Sequence, residues 1–210
     1  MTTQRALMMG MMEPSPEAEG EFHDWYDLEH LPSRAAVPGF LTAHRLVCVE
    51  GWPRYVAMYD LESLDVLNTP AYQAITGKNN SPWSRRVGGM THGYYRALGV
   101  QLYPGAALLG DHGAPARVLV LRFSAPPEAA VPHILDGLKT LFEGRPETAQ
   151  VRLFRSDFGG IYYIAMVELR RPIQVSHINV GKFGPARTYL DLVNVYLPYF
   201  RKGKTPPGAY

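Results

Sequence analysis

The stretch Arg54-Tyr55-Val56-Ala57-Met58-Tyr59-Asp60-Leu61 returns 108 residues later as Tyr162-Tyr163-Ile164-Ala165-Met166-Val167-Glu168-Leu169. Both are aromatic and β-branched runs of strand length. Thr42-Ala43 likewise returns as Thr148-Ala149 at an offset of 106, and Pro16-Glu17-Ala18 as Pro127-Glu128-Ala129 at an offset of 111. Matches of two or three residues carry little weight singly, but their collinear order does. The drift in offset places insertions in loops and helix ends. The chain therefore divides into two halves, residues 1–106 and 107–210.

Each half reads as strand, helix, strand, strand, helix, strand. In the first, Arg5–Met12 is a strand and Pro16 to about Glu29 a helix, weakened at Leu31-Pro32 because the residue before proline avoids the α region, with a short turn following to Ala36. Phe40–Glu50 and Arg54–Leu61 are strands, Ser63 caps a helix to about Thr76, and Gly93–Tyr103 is the fourth strand. In the second, the strands are Arg117–Ser124, Gln150–Ser156, Gly160–Leu169 and Tyr189–Pro198; Pro127–Glu143 is a helix, and Pro172–Lys182 is short and turn-like. This βαββαβ order gives an antiparallel sheet with helices on one face. Each such sheet leaves its other face bare, and two packed face to face bury both. The expected fold class is α+β: two tandem ferredoxin-like halves whose sheets close one α/β barrel within the chain.

Composition narrows the function classes. The chain has 210 residues and a net charge of +2. Its densest basic groups, Arg85-Arg86, Arg170-Arg171 and Arg201-Lys202-Gly203-Lys204, form no stripe interleaved with aromatics, so nucleic-acid binding is not expected. A single cysteine, Cys48, excludes an internal disulfide and fits a reducing compartment. The apolar run near Met1–Met12 reads as a strand rather than a signal core. No segment approaches a membrane span, and a cytoplasmic location is expected. There is no dinucleotide fingerprint, Walker loop or serine elbow.

The chemistry concentrates in Phe22-His23-Asp24-Trp25-Tyr26-Asp27-Leu28-Glu29-His30. At 100° per residue, His23, Asp27, His30 and Arg34 share one face with Tyr26 at its edge, opposite Phe22, Trp25, Leu28, Ala35 and Ala36. Glu29 falls beside this second, apolar stripe. A buried carboxylate must find a partner or raise its pKa. His30, at a helix end, reads either as a cap favoured by the helix dipole or as a general acid/base. His23, Asp27 and His30 lack the spacing of a metal site; a His23–Asp27 pair on a solvated face is expected instead, and no metal.

The segments Trp25-Tyr26-Asp27-Leu28-Glu29-His30-Leu31-Pro32, Val37-Pro38-Gly39-Phe40, Arg45, Tyr55 through Tyr59 and Ser81-Pro82-Trp83-Ser84 resemble the EthD-like branch of the dimeric α/β-barrel proteins over about residues 4–100. The second half keeps the order of elements without the Trp-Tyr-x-x-Glu-His signature. The superfamily includes cofactor-free quinone-forming monooxygenases, polyketide cyclases, lactone isomerases, haem-degrading enzymes and haem peroxidases, so the resemblance implies the fold more strongly than the reaction. It implies a small-molecule pocket and a cofactor-free enzyme acting on a carbonyl- or phenol-bearing molecule, with a non-catalytic binding or stress-response protein as the alternative.

The expected catalytic residues are His30 with Glu29 or Asp27 orienting it. The expected ligand-binding residues are Trp25, Tyr26, Arg45, His44, His92 and Tyr94. Glu29 could equally be a structural partner of Arg45 or a tyrosine, and Tyr55 and Tyr59 read as core. No haem is expected, although His30, His23, His44 and His92 are available. The helix Pro127–Glu143 offers only His133 and Asp136 as counterparts, so one pocket, lined by the first half, is expected, in a monomer or a homodimer.

Overall fold

The computed structural model describes residues 4–200, so the Arg201–Lys204 group lies outside the described residues. Eight strands form the sheet: β1 Ala6–Pro14, β2 His44–Glu50, β3 Tyr55–Leu61, β4 Thr91–Tyr103, β5 Arg117–Ser124, β6 Thr148–Ser156, β7 Tyr162–Leu169 and β8 Leu190–Pro198. They close into a ring in the order β1-β3-β2-β8-β5-β7-β6-β4. Every pairing is antiparallel. Within the ring the first half runs 4-1-3-2 and the second runs 8-5-7-6, the same order twice. The two sheets do more than face each other. They are hydrogen-bonded along two seams, β2 to β8 around Val47↔Leu197 and β4 to β6 around Val100↔Arg155.

Strand alternation sorts the side chains. Leu7, Met9 and Met11 point into the barrel with Val56, Met58, Val118, Val120, Ile164 and Met166. Met8 and Met12 point outward, under the helices of the first half, with Phe22, Trp25 and Tyr26. The outer face of the second half is covered by α5, given below, and by Phe183.

One end of the barrel interior holds charge. Arg152 is fully buried and donates to Asp60 at 2.7 Å, with Glu168 at 3.6 Å. The linker between the halves plugs this end: the Leu109 N–H donates to Asp60 at 2.6 Å and the Gly110 N–H to Glu168 at 3.0 Å. Burial raises the pKa of Glu168, while Arg152 opposes the shift.

The helices are α1 Glu19–Trp25, a π-helical turn Tyr26–His30, α2 Leu31–Ala35, α3 Pro70–Gln73, α4 Pro82–Gly88 and α5 Val131–Phe142. The chain does not break at Pro32, as the sequence suggested. The Leu31 N–H reaches back five residues to the Tyr26 carbonyl, and the helix resumes with Pro32 in its first turn. A proline ring clashes with the carbonyl four residues before it, and a widened turn relieves that clash. The wider turn also shifts the helical phase. Leu28, Ala35 and Ala36, expected on the buried stripe, are exposed, while Arg34 is buried; His23, which precedes the turn, is buried as well.

The helix expected from Ser63 to Thr76 is split. Ser63 does cap, accepting from the Asp65 N–H, but the helix stops at Thr69-Pro70 and restarts as α3. In the second half, residues 172–182 are turn-like, as expected, and are followed by short 3-10 turns that carry Phe183.

Candidate functional site

A cavity of about 530 Å³ lies between the outer face of β1, β3 and β4 and the helices of the first half. Met8, Gly10 and Met12 of β1, Ala57 and Tyr59 of β3, and Tyr94 and Arg96 of β4 form its floor. Trp25, Tyr26, His30 and Arg34 form one wall, and Ser84, Val87 and Gly88 of α4 the other. Every lining residue belongs to the first half. In the second half the Phe183 ring packs so closely on α5 that a methyl group at Gly137 would overlap it.

His30 is half-buried and packs against Trp25, with ring centroids 4.0 Å apart, and against Tyr26 at 5.0 Å. Its Nδ1 is enclosed and meets no hydrogen-bond partner among the described residues. Burial, then the charges of Arg34 and Arg45, hold its pKa well below the usual value of 6.5. It is therefore a neutral imidazole at physiological pH. Burial also lifts the Tyr26 phenol to about 12, with Arg45 opposing, and raises that of Tyr59. The Tyr59 hydroxyl is buried without a partner among the described residues.

The two carboxylates expected to orient His30 are engaged elsewhere. Asp27 accepts from Arg45 Nη1 at 2.9 Å, and Arg45 Nη2 lies 2.9 Å from His23 Nδ1. Arg45 thus bridges the two residues expected to pair directly, and its guanidinium also stacks on Tyr26 at 4.3 Å. Glu29 does not pair with Arg45. It accepts from the Ser81 hydroxyl at 2.5 Å and the Ser84 hydroxyl at 2.9 Å, while Trp25 Nε1 donates to Ser84 at 3.0 Å. Ser81 in turn caps α4 through the Ser84 N–H. Glu29 therefore clamps the cavity's second wall to the motif helix. Glu29→Ala should cost about 1–3 kcal/mol in urea unfolding, since two hydroxyls lose a charged acceptor. It should also loosen α4, seen as faster amide exchange at residues 84–88.

Of the residues expected at the site, His30, Trp25, Tyr26 and Tyr94 line the cavity. Asp27, on the motif helix, pairs with Arg45 of β2, and neither lines the cavity. His44 shares the phase of Leu46 and pairs with Met58, and so faces the barrel interior near Asp60 and Arg152 rather than this cavity. His92 is exposed beside Trp52, with ring centroids 6.4 Å apart, and does not line the cavity. Arg34, Arg96, Tyr72 and Asn80 do line it. Arg34 could have been found from its position four residues after His30. Tyr72 and Asn80 gave no sequence signal. Among the described residues, no group of three or more His, Cys, Asp or Glu side chains is placed to hold a metal ion.

A pH dependence follows. Burial lowers the His44 pKa as well as that of His30. In the unfolded chain both take up a proton near pH 6.5, and in the fold they resist it. Their contribution is present above pH 6.5 and is lost as pH falls below it, by up to about 1.4 kcal/mol per pH unit per histidine. Urea unfolding between pH 7.5 and 5 should show this loss, and His30→Gln should make it shallower.

No protein-family model matches the chain, and no curated protein matches it in sequence. Solved structures do resemble it. An anthrone oxidase-like protein superposes with a TM-score of 0.67 at 11% identity, covering 99% of this chain and 97% of that one. A protein provisionally assigned as a monooxygenase, from Lactobacillus acidophilus NCFM, gives a TM-score of 0.54 at 8% identity, covering 93% of each chain. A heme-binding protein from Thermus thermophilus gives 0.52 at 11%, covering 93% of this chain and 91% of that one. At these identities the likeness establishes the fold: this chain is an eight-stranded antiparallel α/β barrel closed within one polypeptide.

Proposed function

We propose that the cavity is the active site of a cofactor-free enzyme that acts on a small, largely apolar molecule bearing a phenol or carbonyl. The observation that carries this reading is His30: a neutral imidazole, wedged between Trp25 and Tyr26, on the wall of a half-open cavity floored by Met8 and Met12. A neutral imidazole can accept a proton, and the aromatic rings packed on it limit the water that competes for it. His30 takes the proton of an acidic C–H or O–H. The resulting electron-rich anion reacts with dioxygen. For an activated methylene the balance is CH2 plus O2 giving C=O plus water. Trp25 and Tyr26 hold the ring of the substrate. The likeness to an anthrone oxidase-like fold supports oxygenation.

The test uses anthrone and 1-naphthol as probes in air-saturated buffer, with oxygen uptake and quinone formation read together. Uptake above the buffer rate that tracks protein concentration supports the reading. No uptake with either probe, and no protein-dependent exchange of their acidic protons in D2O, would overturn it.

One observation favours a second reading, a non-catalytic small-molecule binder. Asp27 and Glu29 are committed to Arg45 and to Ser81 and Ser84, so neither hydrogen-bonds to His30. Binding of 1-naphthol with neither uptake nor exchange would select this reading.

Haem fits the residues poorly. A ligating imidazole donates its second nitrogen to a carboxylate, a carbonyl or water, and His30 Nδ1 meets no such group among the described residues. His23 is taken up by Arg45 and stacks on Tyr199. Titration with haemin should therefore produce no Soret band of a histidine-ligated species.

The same reading extends to ancestry. We propose that residues 1–106 are an EthD-like half that kept its pocket, and that residues 107–210 are a duplicated copy that kept only packing. The repeated strand order, the collinear sequence repeat and the position of Phe183 support this.

A further inference from the structure

Among the described residues three arginines are buried, Arg34, Arg45 and Arg152. Arg45 has Asp27 and Arg152 has Asp60 as a carboxylate partner. Arg34 breaks the pattern. It is only 7% exposed, yet among the described residues no carboxylate lies within salt-bridge distance of it. Its one side-chain hydrogen bond among them is to the hydroxyl of its neighbour Ser33, at 3.3 Å. A buried cation without a counter-ion is costly, and folded chains almost always supply one.

Arg34 lines the cavity, and so does Arg96. Arg96 also has no carboxylate partner among the described residues. It donates to the Tyr72 hydroxyl at 2.9 Å and stacks near Phe158. Tyr94 lines the cavity together with both arginines. Among the described residues, no Asp or Glu lines the cavity. Two guanidinium groups, the Tyr59 ring, whose hydroxyl has no partner among the described residues, and aromatic and methionine walls therefore share one half-open cavity.

We infer that the cavity's ligand carries its own carboxylate, and that Arg34 and Arg96 bind it: the ligand is an aromatic carboxylic acid, with its ring on the Trp25–Tyr26 wall. Guanidinium forks match the planar carboxylate, and such charge-assisted bonds are the strong ones. The inference rests on the reading of this cavity as the ligand site and adds the class of molecule it takes.

The test compares 2-naphthoate, 2-naphthamide and 2-naphthol by calorimetry and by quenching of tryptophan fluorescence, using the full chain at pH 7.5. The naphthoate should bind at least tenfold more tightly than the amide, which has the same shape without the charge. Arg34→Gln should remove most of that preference while changing the amide affinity less than threefold. Arg34 is buried and its replacement could disturb folding, so Arg96→Gln, at a half-buried position, serves as a second variant and should reduce the same preference. The wild-type comparison needs no variant. If 2-naphthol binds while naphthoate and amide bind alike, the carboxylate inference is lost and the ligand-site reading stands. If none of the three binds, both are lost.

Discussion

His30→Gln should lower turnover of anthrone or 1-naphthol about 10²–10⁴-fold, the range associated with losing a positioned proton acceptor. At pH 7.5 it should leave the unfolding midpoint in urea nearly unchanged. The imidazole is already neutral there, and its Nδ1 makes no hydrogen bond that glutamine would lose. Binding of 2-naphthoate should survive, since His30 takes no part in holding the carboxylate. His133 on α5, the nearest counterpart in the second half, is exposed and does not line the cavity. His133→Ala should leave turnover and stability intact. If both variants damaged turnover equally, the single-site reading would be wrong.

Arg152→Ala should be the most destabilising single change, at about 3–5 kcal/mol, because it leaves Asp60 and Glu168 charged and unpaired inside the barrel. The loss should shrink as pH is lowered. Burial already raises the Glu168 pKa against the opposing charge of Arg152, and without the guanidinium it rises further above its unfolded value. A carboxyl shifted upward favours the fold below its unfolded pKa and disfavours it as pH rises. Urea unfolding of wild type and variant at pH 7 and pH 5 reads the difference. The His30 contribution is common to both proteins and cancels, whereas that of His44 shrinks in the variant, because Arg152 helps to lower its pKa. Glu168→Gln added to Arg152→Ala should recover part of the loss, the signature of coupled neighbours. A loss below about 1 kcal/mol at pH 7 would refute the assignment of this cluster as a keystone of the interior.

The strands were legible because each is a local apolar run bounded by turns, and because the run at 54–61 has a copy at 162–169. Arg117–Ser124 was read with the bounds the structure gives it. Helix phase was less legible. A 100° wheel assumes a uniform turn, and the π-helical turn at Tyr26–His30 adds a residue that the wheel cannot see. That is why Leu28 was placed on the wrong face. The helix at Pro82–Gly88 carried a local signal that went unused: a serine N-cap followed by proline in the first turn. The site was legible only in its types. His30, Trp25 and Tyr26 drew attention through density of function in nine residues. The partners of Asp27 and Glu29 lie 18 and 52–55 positions away, and no spacing rule links them. The two cavity guanidinium groups, which lack a carboxylate partner among the described residues, stood out only once the carboxylates had been placed.

Closure of the ring also sets how other molecules can approach. A sheet that ends leaves a row of unpaired N–H and C=O groups, to which another chain can add a strand. Here each of the eight strands has a neighbour on both sides. Among the described residues, the unpaired backbone is concentrated at the two seams, where β4 meets β6 only over Gly99–Tyr103 and β2 meets β8 only over Leu46–Glu50. A peptide docking by β-addition must therefore enter at a seam, and elsewhere on the wall a partner reads side chains rather than backbone.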